Sequence, residues 1–191
     1  MSVKYVLILK GSPREKGNSS TLADQVAAGA SQAGAEVETV SLQKLNIRPC
    51  TGCDACQRAG GGHCNIDDDM EALYPKLMRA DAILISSPIY WFALSAQTKL
   101  CIDRWYALES PKGSALAGKQ FGLVLTYGDS DLLTSGGINA VRTFEDMCRY
   151  LRGPIAGLVY GSASNVGDVN SQPALLEKAY QLGQKMGVSA S

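Results

Sequence analysis

Three stretches of this chain carry residues whose types and spacing suit chemistry. In the first, Gly11-Ser12-Pro13-Arg14-Glu15-Lys16-Gly17-Asn18-Ser19-Ser20-Thr21 lies between an apolar run, Val3 to Leu9, and Leu22, Val26, Ala30 and Ala33, apolar positions at near-helical spacing. A helix start offers unpaired N–H groups and the positive end of its dipole, and hydroxyl side chains add donors, so such a loop suits an anion. An ordinary βα loop needs one capping residue, whereas four polar cappers stand here in a row, Asn18 to Thr21. No Gly-Lys-Ser/Thr follows the glycines and the pattern is not G-x-G-x-x-G, so a mononucleotide phosphate fits better than a dinucleotide.

The second stretch is Ser87-Pro88-Ile89-Tyr90-Trp91-Phe92. Three consecutive aromatics cannot all enter one face of a helix or sheet, so at least one is exposed or covered by a ligand. A flat aromatic cofactor, a flavin, would account for them, since Tyr and Trp offer large, stiff surfaces; core packing and subunit contact are the plainer accounts. Thr126-Tyr127-Gly128-Asp129 would close a third side of such a site, with backbone N–H groups facing a flavin's pyrimidine edge, although Gly128 serves equally as a turn glycine.

The third stretch holds thiols. Cys50, Cys53 and Cys56 are spaced C-x2-C-x2-C, and Cys64 follows within a loop from Pro49 to Asn65. That beginning is shared with bacterial ferredoxins and suits a tetranuclear iron–sulfur cluster. A structural zinc, a redox thiol pair and thiols that merely pack the loop remain open beside it. His63 reads as a solvated loop residue, and Cys101 and Cys148 as buried small hydrophobes inside helical patterns.

These stretches need a frame. The chain has 191 residues and 46% hydrophobic content, which suits one domain, 1–191, with a full core. Eighteen basic and eighteen acidic residues balance, which argues against nucleic acid or an anionic membrane surface as partner. No run is long enough to span a bilayer, and the early first strand leaves no room for a signal peptide. A cytoplasmic protein with reduced or ligand-bound cysteines is expected. Strands are expected at Val3–Leu9, at an edge near Val37–Ser41, and at Ala82–Ser86, Phe121–Leu125 and Ile155–Tyr160. Helices are expected after Asn18, from Asp67–Asp69 through Leu77 with a kink or restart at Pro75, and over Ala93–Tyr106, Ile138–Leu151 and Ala174–Met186. This alternation predicts an α/β three-layer sandwich around a five-stranded parallel sheet of order 2-1-3-4-5, flavodoxin-like, with the ligand beyond the carboxyl ends of the strands.

The motifs together resemble the NAD(P)H-dependent FMN reductases and iron–sulfur flavoproteins. The resemblance rests on Gly11-Ser12-Pro13-Arg14 with Gly17-Asn18-Ser19, the cysteine spacing with Asp67-Asp68-Asp69-Met70, Ser87 to Trp91, Ala96-Gln97-x-Lys99 and Asp103-Arg104. It implies noncovalent FMN, with its phosphate on Ser12, Arg14, Asn18, Ser19 and Ser20 and its ring against Pro88, Ile89, Tyr90, Trp91 and Phe92. It implies a homodimer or homotetramer that shields the flavin. In iron–sulfur flavoproteins a compact cysteine motif at this position carries a [4Fe–4S] cluster, which would make Cys50, Cys53, Cys56 and Cys64 its ligands. Two activities follow: an oxidoreductase passing electrons from NAD(P)H to a quinone, flavin, metal or nitro compound, or a carrier taking single electrons from a ferredoxin. A zinc-stabilised nucleotide-binding module is a third, remote class. No side-chain acid is assigned, and Asp103-Arg104 reads as a solvated pair or a cap.

Overall fold

A computed structural model describes residues 3–188 of the chain. The strands are β1 (Tyr5–Lys10), β2 (Glu36–Ser41), β3 (Ala82–Tyr90), β4 (Ala93–Leu94), β5 (Gln120–Tyr127) and β6 (Ile155–Ser162). The helices are α1 (Asn18–Gln32), α2 (Ala55–Arg58), α3 (Met70–Arg79), α4 (Ala96–Asp103), α5 (Gly137–Tyr150) and α6 (Pro173–Gly187). The sheet runs β2-β1-β3-β5-β6, all parallel, which is the expected order once β4 is set aside.

Both faces of the sheet are covered, and this explains why its central strands are nearly continuous apolar runs. Val6, Ile8, Ala82, Leu84 and Val124 face one way, into a core shared with α1 and α6. Their neighbours Leu7, Leu9, Ile83, Ile85, Leu123 and Leu125 face the other way, toward α3, Trp105 and Phe144 of α5. The alternation is the period of two that a pleated strand imposes. β2 stands at the edge and is only partly buried, as its mixed sequence requires.

The anion-suited loop is held from below by close helix packing. α1 and α6 meet through small residues, and a Cβ at Gly29 would overlap the Tyr180 carbonyl, while one at Gly183 would overlap that of Val26. This contact fixes α1, and with it the position of its first turn.

The chain departs from the expected elements in three places. β3 does not stop at Ser87-Pro88 but runs on to Tyr90 and turns back into β4, pairing Ile89 with Leu94 and Tyr90 with Ala93. The turn is Trp91-Phe92, both at positive φ (49° and 65°), the two-residue geometry that matches strand twist but normally wants Asn or Gly. Residues from Ala93 therefore form a strand, and the helix begins only at Ala96, capped by Ser95, whose Oγ accepts from the Thr98 N–H at 3.3 Å. Pro75 lies inside α3, which continues through it to Arg79 with no restart. Finally, Asp103-Arg104 is not a solvated pair: Asp103 bonds Lys99 at the surface, while Arg104 is 1% exposed and pairs with Asp68.

Candidate functional site

The carboxyl ends of β1, β3, β5 and β6 converge on a cavity of about 250 Å³. Ser12, Arg14, Asn18 and Ser19 line one side, Pro88, Ile89 and Tyr90 a second, and Thr126 and Gly128 a third. Nine of the twelve residues expected at a flavin site thus stand around one space. No Asp or Glu lines it, so nothing there repels an anion. Trp91 and Phe92 line an adjoining recess of about 210 Å³ that shares Ile89, Tyr127 and Gly128 with the first.

The first turn of α1 is open for a phosphate. Its N-cap, Gly17, provides no side-chain cap, and the turn carries no acidic residue. The first backbone N–H bonded within the helix is that of Thr21, to the Gly17 carbonyl at 2.9 Å. A Cβ on Gly17 would stand 2.6 Å from Ser12 Oγ and 3.1 Å from the Arg14 carbonyl, so any larger residue there would push the Ser12–Arg14 turn aside. Ser19 is 1% exposed, and its Oγ has no hydrogen-bond partner. A buried hydroxyl left without a partner costs about 1–3 kcal/mol, and the cavity it lines is where a partner would sit. These features fit an FMN phosphate.

The other expected phosphate residues are committed differently. Ser20 is buried and its Oγ donates to the Arg14 carbonyl (3.2 Å), so it shapes the loop from behind the cavity. Ser12 Oγ accepts from the Arg14 N–H (3.1 Å) and donates to the Arg14 carbonyl (3.0 Å), holding the turn at Pro13. Arg14 is exposed and forms no ion pair among the described residues. The Asn18 side chain is fully occupied: Nδ2 donates to the carbonyls of Asn165 (2.7 Å) and Ala163 (3.3 Å), and Oδ1 accepts from the N–H groups of Gly167 (3.0 Å) and Val169 (3.5 Å). Only its backbone N–H is available to an anion.

Beneath the cavity, buried hydroxyls join the loops. Ser86 Oγ donates to the Ser19 carbonyl at 2.8 Å, Ser95 Oγ to the Gly11 carbonyl at 2.7 Å, and Ser87 Oγ accepts from the Ser95 N–H at 2.9 Å. Each bond contributes about 1 kcal/mol, but leaving any of these buried groups unpaired would cost more. They lock the loop after β1 to the loop after β3.

Sequence reading named Gly17 and Tyr127 only as members of their loops, and it missed Ala163 and Ser164 as lining residues. The last two belong to the loop after β6, whose Ser164 Oγ donates to the Gly128 carbonyl at 2.8 Å. The rule that ligands bind beyond strand ends would have named that loop, had it been applied to all the strands. Burial pushes the Tyr127 phenol above its ordinary value, so it remains a protonated hydroxyl at neutral pH. Of the three aromatics, Tyr90 and Phe92 are about half exposed and Trp91 is 91% exposed. Phe92 is pinned, its carbonyl accepting from Asn139 Nδ2 at 3.1 Å.

The four cysteines do not assemble. Cys50 and Cys53 are exposed, Cys56 is buried in the core, and Cys64 packs partly against it. Among the described residues, no group of three or more His, Cys, Asp or Glu side chains is placed to hold a metal. In this arrangement the four thiols are not gathered around one centre. Cys56 lies on the buried face of the short helix α2, while Cys50 and Cys53 stand in solvent before it. His63 is exposed and Cys101 and Cys148 are buried, as expected.

Known proteins share the sequence pattern and the fold. The chain is similar to the iron–sulfur flavoprotein of Archaeoglobus fulgidus, at 31% identity over 96% of this chain and 79% of that one. It is also similar to YwqN of Bacillus subtilis, a putative NAD(P)H-dependent FMN-containing oxidoreductase, at 26% identity over 93% and 95%. Against an iron–sulfur flavoprotein of Methanocaldococcus jannaschii it is 36% identical but spans only about half of that protein's length. Among solved structures, the Trp repressor binding protein of Bacillus subtilis superposes with a TM-score of 0.69 at 25% identity, over 94% of this chain and 99% of that one. The sequence profile of the NADPH-dependent FMN reductases matches residues 5–167, from β1 through the loop after β6. The chain belongs to the NADPH-dependent FMN reductase family and is an FMN-dependent oxidoreductase.

Proposed function

We propose that this protein passes electrons from NAD(P)H through FMN to a small acceptor of the quinone, flavin, metal or nitro class. The observation that carries this reading is the acid-free cavity, with the uncapped start of α1 and the orphan Ser19 hydroxyl at one end and a solvent-open aromatic recess beside it. The backbone N–H groups of Asn18, Ser19 and Ser20, with Arg14 and the Ser19 hydroxyl, hold the phosphate, and Ser12 shapes the turn that presents Arg14. Pro88, Ile89 and Tyr90 flank one side of the ring, and Thr126 to Gly128 present backbone N–H groups to its polar edge, where preorganised donors favour negative charge. Trp91 and Phe92 form the rim over which an acceptor enters. FMN supplies the hydride acceptance and the one- or two-electron donation; the protein binds, orients and shields. No carboxylate or histidine lines the cavity, and hydride transfer to FMN requires no side-chain acid, so none is assigned.

The test is a titration of the FMN-free protein with FMN, FAD and riboflavin, followed by NADPH and NADH oxidation with a panel of acceptors. FMN binding more tightly than both relatives, with turnover, supports the reading. Equal retention of FMN and FAD, or a flavin that neither nicotinamide reduces, overturns it.

The four-cysteine segment and the name of the Archaeoglobus fulgidus relative favour one second reading, an electron carrier served by a ferredoxin. It requires the cysteine segment to reorganise around a metal, and counting iron and acid-labile sulfide in anaerobically purified protein decides it. We further read the chain as a cytoplasmic homodimer or homotetramer, with the exposed Trp91 and Phe92 rim as the surface that oligomerisation covers; light scattering measures its size. No helix among the described residues is long and apolar enough to cross a membrane.

A further inference from the structure

Asp68 and Arg104 form the one buried ion pair among the described residues, and it lies against the cysteine segment rather than the flavin cavity. Arg104 Nη1 donates to Asp68 Oδ2 at 2.6 Å and Nη2 to Oδ1 at 3.2 Å, a two-pronged fork with both side chains 1% exposed or less. One remaining bond reaches the start of α3, where the Met70 N–H donates to Asp68 Oδ1 at 3.1 Å, and the others are directed at two backbone positions. Nη1 also donates to the Arg48 carbonyl at 2.8 Å and Nη2 to the Ile66 carbonyl at 3.5 Å, while Asp68 Oδ2 accepts from the Arg48 N–H at 2.8 Å. Arg48 and Ile66 stand immediately outside the segment 49–65 that carries Cys50, Cys53, Cys56 and Cys64. The turn that begins at Arg104 holds the far side of the same segment. Gln57 Nε2 donates to the Tyr106 carbonyl at 2.7 Å, and the Gly62 N–H to the Ala107 carbonyl at 2.6 Å.

A buried ion pair stabilises no better than well-packed apolar side chains of the same size, because desolvation cancels the attraction. What the guanidinium fork supplies that apolar groups cannot is direction, and here the backbone carbonyls it reaches, those of Arg48 and Ile66, stand at the two ends of the cysteine segment. We propose that the Asp68–Arg104 pair is a positioning device that clamps both ends of this segment, keeping Cys56 turned inward while Cys50 and Cys53 face solvent. The clamp thereby sets which thiols an external reagent or ligand can reach. It operates independently of the flavin, since neither residue lines the cavity.

The experiment is thiol labelling with an aromatic disulfide on the FMN-loaded protein, read by peptide mass spectrometry for each cysteine. In the unaltered protein Cys50 and Cys53 react first. Arg104→Lys keeps the charge but loses the fork, and the double variant Asp68→Leu/Arg104→Met replaces the pair by apolar groups that tolerate burial. In both variants Cys56 is expected to label about tenfold faster or more, because local opening of the segment becomes easier, while Cys101, Cys148 and the FMN content stay unchanged. An unchanged Cys56 rate in the folded double variant overturns the proposal. So does a parallel rise at Cys101 and Cys148, which would make the pair a contributor to global stability only. Should Arg104→Lys fail to fold, the double variant decides alone.

Discussion

Replacing Ser19 by Ala separates two quantities that usually move together. The Ser19 hydroxyl is buried and unpartnered in the FMN-free protein, and Ser19 is among the residues that line the cavity we propose for the phosphate. Removing it takes away an unsatisfied group whose burial costs about 1–3 kcal/mol, so the FMN-free protein should become more stable. For a chain of this size each kcal/mol raises Tm by about 2–4 °C. With FMN the sign reverses. A hydrogen bond to a charged phosphate contributes about 1.5–3 kcal/mol, so Kd should rise roughly ten- to 150-fold. Since ligand stabilisation follows RT ln(1 + [L]/Kd), the gap in Tm between FMN-loaded and FMN-free protein should shrink in the variant. Differential scanning calorimetry of both forms, with fluorescence titration of FMN, gives all the quantities. A destabilised FMN-free protein with unchanged Kd would refute the reasoning, because it would mean that the hydroxyl has a partner within the fold. Ser20→Ala is the internal contrast: its hydroxyl is already bonded to the Arg14 carbonyl, so it should lose about 1 kcal/mol of stability with a smaller effect on Kd.

Three further outcomes are expected. Asn18→Ala removes four hydrogen bonds to residues 163–169, so hydrogen exchange of that loop should speed up about tenfold or more while exchange in β1 and β3 is unaltered. Gly17→Ala, whose Cβ would press on Ser12 Oγ and the Arg14 carbonyl, should lower FMN affinity by about 1–3 kcal/mol with far-UV circular dichroism preserved; undiminished affinity would show that the loop relaxes freely. Asp131 accepts from the N–H groups of Leu133 and Thr134 and from the Thr134 hydroxyl, which holds its carboxyl down to about 2 against an ordinary 3.8. A depressed folded-state value contributes stability that is present above pH 3.8 and lost as pH falls toward 2. Acid titration of Asp131→Asn should therefore show a shallower loss of stability across that window than the unaltered protein, and identical slopes would count against the assignment.

The sequence by itself determined the fold and the neighbourhood of the site. Apolar runs from Val3, Ala82 and Phe121, separated by helical periodicity, leave a parallel sheet covered on both faces as the simplest packing, and the polar loop before Leu22 marks a helix start suited to an anion. These signals are local, because a residue's neighbours fix its period and its caps. Hydrogen-bond accounting is not local, and only the tertiary structure decided it. Asn18 looks like a phosphate ligand until a loop 147 residues away takes its side chain, which leaves Ser19 with the free hydroxyl. Arg104 looks solvated beside Asp103 until the chain brings Asp68 to it and buries both. Tyr90-Trp91-Phe92 announces an exposed aromatic but not a hairpin, because the positive φ of Trp91 and Phe92 follows from the pairing of β3 with β4 and from the Asn139 bond, against their own preference. The cysteine spacing suggests four thiols around one centre, yet spacing sets only how close they can come. Which of them turns inward is settled by burial, and Cys56 joins the core while Cys50 and Cys53 remain in water.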